Sequence, residues 1–406
     1  MSSEVFRVSE VSLSPAVVMV GTPGFVRDPA RLDDATLLRV LGENAGNLMF
    51  QYAASRIVAA PQIHVGLSET PYTETESLRS ARALVFPAAN HLRLGADWTG
   101  LNDYLEKAGL PLVILGLGAQ APTGEESATI AALRSDAHVR RMVDILRDRA
   151  VFVSVRGEFS ARVCDALGLR DVHVLGCPSV FLNSDPQLGQ KLQARIAALP
   201  DVPGRLRLAM TAAAPFEISA QAERCDLERR LFDWTKAAQG LYIQQSGGIS
   251  VLRAARGQWH LLEPGPRKSI AAILAPQMDP VEVWAFLCRA ARFPLSAPEW
   301  IAELAGCELV LGSRVHGNLA AIAAGVPGVI VAHDSRTAEL AQCMHLPQLQ
   351  AADVMATARP KDLAARIAFD GAAFDRWRAG AATTLTAAFD RLGIPVDPDI
   401  RALGGA

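Results

Sequence analysis

The chain has 406 residues, 50% of them apolar and 20% charged, with a formal net charge of −2. That length exceeds one ordinary core and points to two domains of roughly 200 residues each, and the composition excludes disorder as the main state. A balanced charge without a Lys/Arg cluster gives no footprint for nucleic acid.

In chain order, the first half alternates short apolar runs with longer helical patterns. The small residues 42–48 (GENAGNL) precede a helix predicted over 50–59. A strand is predicted over 83–86 (ALVF), a helix over 101–108, and a strand over 111–115 (PLVIL) that runs into the glycine-rich turn 116–118. A helix over 137–149, a strand over 151–155 (VFVSV), a helix over 158–167 and a strand over 172–175 complete this half. The alternation lapses across 183–204, so the expected domains are 1–190 and 191–406. It resumes with a strand over 206–211, a helix over 227–239 and a strand over 240–244. Strand-like runs follow at 270–274 and 308–311. A helix over 297–306 has Ser296 as its cap and Pro298 near its start. A helix over 318–324, a strand over 328–332 (GVIVA) and a helix over 337–344 end the pattern, and the helical stretch 374–392 is expected to pack back across the fold. Apolar strands alternating with helices imply parallel sheets covered on both faces, here two facing Rossmann-like domains.

The six cysteines are scattered singly, without a CxxC pair. Neither a zinc site nor a disulfide framework is indicated, and they read as buried residues of a reducing compartment. The N-terminus lacks a basic region followed by an apolar stretch, and no window approaches the roughly 20 apolar residues of a membrane span. A cytoplasmic protein with no integral membrane segment is the expectation.

Ligands of such sheets bind beyond the carboxyl ends of the strands, so the strand-to-helix turns are the places to look. The strongest is 309–318 (LVLGSRVHGN), where an apolar strand meets a polar tetrad and an Ala-rich helix. Ser313, Arg314, Gly317 and Asn318 could hold an anion at the helix start, and His316 can exchange a proton near neutral pH. Arg314 reads equally as half of an ion pair, with Ser313 as a helix cap. Arg156 sits in a second turn, placed to fork donors onto a carboxylate or phosphate, or to pair with Glu158. Arg336 stands in a third, one strand–helix–strand step beyond His316, either reaching the same ligand or solvated; His333 and Asp334 read as residues that hold this loop. Asn44, Gly46 and Asn47 offer donors at an early helix start, or a plain capped turn. Gly118 belongs to a lone G-x-G, weak evidence for a dinucleotide.

The landmarks GENAGN, VILGLGAQAP, SVRGEFSARV, GCPSVFLN and GSRVHGNLAAIAAGVPGVIVAHDSRTAEL, in that order between residues 42 and 345, resemble the polysaccharide pyruvyl transferase family. The resemblance implies an α/β, GT-B-like fold in which two Rossmann-like domains with parallel sheets face a central cleft. It also implies transfer of a pyruvyl group from phosphoenolpyruvate to sugar hydroxyls as a ketal. By residue it places the donor-binding arginine at Arg156, the essential histidine at His316 and the basic residue of the next loop at Arg336, where relatives often have Lys. Gly157, Asn47 and Ser179 stand where the family commonly has aspartates.

The expected enzyme binds phosphoenolpyruvate and a sugar or lipid-linked saccharide, with no cofactor and no metal, since the arginines can supply the positive charge. Arg156 and Arg336 would neutralise the donor, while His316 would protonate its methylene carbon or assist phosphate departure. Two other readings stay open: a GT-B-like glycosyltransferase using a nucleotide sugar, and a non-catalytic anion- or glycan-binding protein. Residues 68–76 and 213–223 are polar, irregular stretches that could shape the acceptor side.

Overall fold

The structure, a computed structural model, describes residues 16–65, 80–121, 124–200, 206–333 and 335–405. Its first sheet is built from β1 (Val17–Val20), β2 (Gln62–Val65), β3 (Leu84–Pro87), β4 (Leu112–Leu117), β5 (Ala150–Val155) and β6 (His173–Val174), in the order β2-β1-β3-β4-β5-β6. Its second is built from β7 (Leu208–Ala212), β8 (Leu241–Gln244), β9 (Ala291–Arg292), β10 (Leu309–Gly312), β11 (Gly328–Ala332) and β12 (Gln348–Gln350), in the order β12-β11-β10-β7-β8-β9. Every pairing within the two sheets is parallel. The side chains of β1, β3, β4, β7, β10 and β11 are buried along their whole length, as strands covered by helices on both faces must be. These are two Rossmann-like domains, and a cleft lies between them.

In each sheet the strand order reverses once, at β1/β3 in the first and at β7/β10 in the second. The crossover connections on the two sides of such a point leave in opposite directions, which opens a crevice at the carboxyl ends of the central strands. The strand–helix turns singled out in the sequence sit at or beside these crevices.

Several helices tie the two sheets together. The helices Asp34–Val40 and Asn47–Ile57 bury Leu37, Leu38, Leu48 and Met49 in a cluster with Ala209, Ile243 and Val310 of the second sheet. The long helix Gly371–Arg391, from the C-terminal end of the chain, buries Phe374, Leu385 and Phe389 in a cluster with Val17, Met19, Val85 and Val113 of the first. It thus packs back across the fold, as its apolar pattern suggested. The helix Ala297–Leu304 starts where expected, with Ser296 Oγ accepting the Glu299 N–H at 3.4 Å.

One element differs from its prediction. Residues 270–274 are not a strand but the end of the helix Pro264–Leu274, with Ile270, Ala271 and Leu274 on its buried face. A short apolar run fits both periods; Pro264, whose fixed φ and missing N–H suit a first helical turn, settles it as helix.

Candidate functional site

The two crevices meet in a cleft of about 880 Å³ lined from both domains. Among the described residues, five arginines line it (Arg39, Arg93, Arg156, Arg224, Arg314) against three glutamates (Glu43, Glu217, Glu339), which makes that part of its wall basic.

Phe50 organises the centre of this cleft. The Arg156 guanidinium carbon lies 5.3 Å from its ring centroid, and the His316 ring lies 5.5 Å from it at a 49° tilt. The two residues with the strongest chemical case, one from each domain, therefore flank one aromatic ring. Arg156 follows β5, donating Nε to the Gly116 carbonyl at 3.0 Å and Nη2 to the Ala88 carbonyl at 3.2 Å. These bonds fix the fork at the carboxyl ends of β3 and β4, a different arrangement from the alternative of pairing with Glu158. Glycines supply the space: a β-carbon on Gly118 would lie 3.0 Å from Arg156 Cδ and 2.7 Å from Asn90 Oδ1.

His316 is 9% exposed, in the first turn of the helix Val315–Ala323 that follows β10. Gly312 begins this turn at φ 155°, where any β-carbon would strike the Thr211 backbone. Ser313 Oγ donates to Glu228 Oε1 at 2.8 Å; burial, first of all, pushes the Glu228 carboxyl above its ordinary pKa. Arg314 Nη2 is hydrogen-bonded to Glu217, which also accepts from Ser246 Oγ at 3.4 Å, so Arg314 lines the cleft as an ion-paired wall.

Two residues expected to bind ligand hold the turn together. Asn318 is fully buried and gives its amide to Gly312 O at 3.0 Å, Arg314 O at 3.1 Å and Thr211 Oγ1 at 3.3 Å, which locks the turn from beneath. Gly317 allows the helix to close on β7, because a β-carbon there would come within 2.4 Å of Thr211 Cγ2. Both therefore shape the turn from its protein side.

The early segment joins the two halves of the site. Ala45 N–H donates to the Gln245 carbonyl at 2.7 Å, and Asn44 Oδ1 accepts from Gly46 N–H at 2.8 Å and Gln245 Nε2 at 3.1 Å. Asn47 lines the cleft but caps the preceding helix, donating to Leu41 O at 2.9 Å. A β-carbon on Gly46 would collide with Gln245 Nε2 at 2.4 Å and approach His316 Nδ1 at 3.0 Å, so this glycine is what lets the two side chains converge.

Arg336 opens the helix Ser335–Cys343 at the carboxyl end of β11, beside β10; its side chain, Asp334 and residues 68–76 lie outside the described residues. His333 lines the cleft and bonds the Val331 carbonyl through Nδ1 at 3.4 Å, consistent with a loop-holding part. Residues 213–223 include the short helix Pro215–Ile218, which brings Glu217 to the cleft.

Sequence reasoning missed Phe50, His91 and Glu339. His91 follows β3, packs between Phe86 (4.8 Å) and Trp98 (4.7 Å), and accepts the Ala89 N–H at Nδ1, 2.9 Å. Burial, then the Arg156 and Arg93 cations, lower its pKa to about 4, so it faces the cleft as a neutral ring. Glu339 reaches across from the second domain and accepts the Phe159 N–H at the start of the helix Glu158–Ala166. A β-carbon on residue 157 would lie 2.8 Å from Glu339 Oε1. The glycine that departs from the family's usual aspartate is thus explained: a carboxylate from the other domain already occupies that space. Gln245 and Ser246, from the loop after β8, carried no recognisable signal at all.

Two parallel α/β domains facing a shared cleft, with an arginine and a histidine brought together from opposite sides, define a GT-B-like architecture. The family model of polysaccharide pyruvyl transferase matches residues 50–251 and 266–335, and the chain belongs to that family. No curated protein matches it. Among solved structures, one named for a UDP-N-acetylglucosamine 2-epimerase of Listeria monocytogenes aligns with 92% of this chain and 96% of its own at 12% identity and TM-score 0.42. Another, a UDP-N-acetylglucosamine 2-epimerase from Rickettsia bellii, aligns with 79% of each chain at 11% identity and TM-score 0.34.

Proposed function

We propose that the cleft transfers a pyruvyl group from phosphoenolpyruvate to two hydroxyls of a sugar or lipid-linked saccharide, forming a ketal. The observation that supports this best is that Arg156 and His316 both pack on Phe50, in a cleft whose described lining holds more arginines than acids. Phosphoenolpyruvate carries a carboxylate and a phosphate on the same carbon. Fixed guanidinium groups in a water-poor crevice stabilise such charge far better than they would in bulk water.

Arg156, its fork held by the Gly116 and Ala88 carbonyls, would receive one anionic group of the donor; Arg336 is the proposed partner for the other. His316 would deliver a proton to the methylene carbon, or to the leaving phosphate oxygen, as general acid. The first sugar hydroxyl attacks the central carbon and gives up its proton. The bond from that carbon to the phosphate oxygen breaks, and a second hydroxyl, losing its own proton, closes the ketal. The two hydroxyl protons replace those taken up by the methylene carbon, now a methyl group, and by the departing phosphate. Asn44, Gln245 and His91 are cleft-lining polar groups suited to hydroxyl recognition.

The test is thermal unfolding with phosphoenolpyruvate and, separately, nucleotide sugars. A ligand at one hundred times its Kd raises the unfolding free energy by about 2.7 kcal/mol. Stabilisation by phosphoenolpyruvate, with phosphate release once a sugar acceptor is added, supports the proposal. Stabilisation by nucleotide sugars alone points to a glycosyltransferase, and binding without turnover to a non-catalytic protein.

A further inference from the structure

His316 has a second partner that the reaction scheme leaves unused. Cys177 begins the tight turn Pro178–Phe181 after β6, is 0% exposed, and is anchored by its N–H on Met344 Sδ at 3.1 Å. Its sulfur lies 3.8 Å from His316 Nε2 and 3.3 Å from Ser179 Oγ. Sulfur is a large, weak acceptor, and a contact of that length suits an imidazole N–H directed at it.

The opposite edge of the ring has different company. The position that a Gly46 β-carbon would take is 3.0 Å from His316 Nδ1, 2.9 Å from Asn44 Oδ1 and 2.4 Å from Gln245 Nε2. Asn44 and Gln245 line the cleft, whereas Cys177 is buried behind it. The ring therefore has an inner nitrogen, Nε2, against the thiol, and an outer nitrogen, Nδ1, at the cleft edge. Phe50 holds the ring between them, its centroid 5.5 Å away.

We infer that Cys177 is a positioning residue that fixes the tautomer of His316, making Nδ1 the atom that exchanges a proton in the cleft. The sulfur accepts the Nε2 hydrogen, and the thiol hydrogen passes to Ser179 Oγ. Neutral His316 then keeps its lone pair at Nδ1, and the imidazolium carries its mobile proton there. A partner on the far nitrogen setting the active one is how histidines are generally oriented. A thiol does this without the strong pull on basicity that a carboxylate would exert. The proton's destination rests on the pyruvyl-transfer reading; the tautomer does not.

The test is nitrogen-15 NMR of the full chain with labelled histidine at pH 8, His316 being assigned by its loss in His316→Gln, alongside steady-state kinetics of phosphate release. The wild type is expected to show hydrogen on Nε2. Cys177→Ala should give a mixed tautomer and a kcat lower by about 10-fold, with KM for phosphoenolpyruvate unchanged. Cys177→Val, which fills the space without accepting a hydrogen bond, should behave in the same way, and it replaces the alanine variant if that one does not fold. Hydrogen on Nδ1 in the wild type, or wild-type tautomer and kcat in both variants, overturns the inference. A wild type with the expected tautomer but no phosphate release under any acceptor counts against the transfer reading alone and leaves the Cys177 contact standing.

Discussion

At the residue scale, the site works by giving similar side chains different surroundings. His316 is buried at a helix start, with a thiol at one nitrogen. His91 is wedged among aromatic rings between two cations and held neutral, with a pKa of about 4. On the proposed reaction, His316→Ala should lower kcat by roughly 10²–10⁴ while KM for phosphoenolpyruvate changes only a few-fold, because proton delivery is lost and the arginines remain; steady-state phosphate release measures it. His91 has a consequence for stability instead. Its folded pKa lies below the ordinary value near 6.5, so the unfolded chain binds the extra proton first as pH falls. Stability should therefore drop between about pH 6.5 and pH 4, by about 1–2 kcal/mol at pH 5 relative to pH 7 for this group. Thermal unfolding at the two pH values should show that loss in the wild type and a smaller one in His91→Gln. Of these two histidines only His316 was legible in the sequence, since it stands beside glycines at a strand's end; His91 lies in an ordinary-looking loop and acquires its role from Arg156, far away in the chain.

At the element scale, the glycines are placed where a neighbouring element packs too closely for a side chain. Gly317 lies on Thr211 and Trp300, so its substitution by alanine would push the helix Val315–Ala323, and His316 with it, away from β7. Gly317→Ala is expected to cost about 1–3 kcal/mol and to reduce kcat. Adding Thr211→Ser, which removes the methyl carbon in the way, should recover part of both; unfolding and kinetics of the double variant check this. Most of the central strands and roughly half of the helices were legible, where apolar runs are long and bounded by turn residues. The failure at 270–274 came from a five-residue apolar run that suits either period. The edge strands β2, β9 and β12 escaped notice because they are short and only partly buried, while β1, four buried apolar residues, lay ahead of the part of the chain where the alternation could be followed.

At the scale of the molecule, the first sheet ends at Val174 and the second begins at Leu208, and apolar clusters brace one against the other. One apolar cluster includes Val17, Val85 and Val113 from the first sheet, Ile330 from the second, Leu319 and Leu340 from the site helices, and Phe389 near the chain's end. Sequence periodicity shows that a helix has an apolar face, but not which sheet receives it. Arg378 fastens this arrangement. It is 1% exposed, stacks on Phe374 at 5.4 Å, and donates to the carbonyls of Asn183 and Asp185, in the segment that links the two sheets. Because the cluster is shared, neither sheet can unfold without exposing the other's apolar surface, and the chain should melt in one step. Far-UV circular dichroism and tryptophan fluorescence should then give the same midpoint, the tryptophans being spread from Trp98 to Trp377. Arg378→Ala leaves two inward-facing carbonyls without their donor and a void beside Phe374, so it should cost about 3 kcal/mol. Because the lost contacts join the helix Gly371–Arg391 to the linking segment, the penalty should fall on the shared transition, lowering both midpoints together. Two separated midpoints, with only one shifted by the substitution, would instead mean that the domains melt independently and that the cleft is held by contact alone.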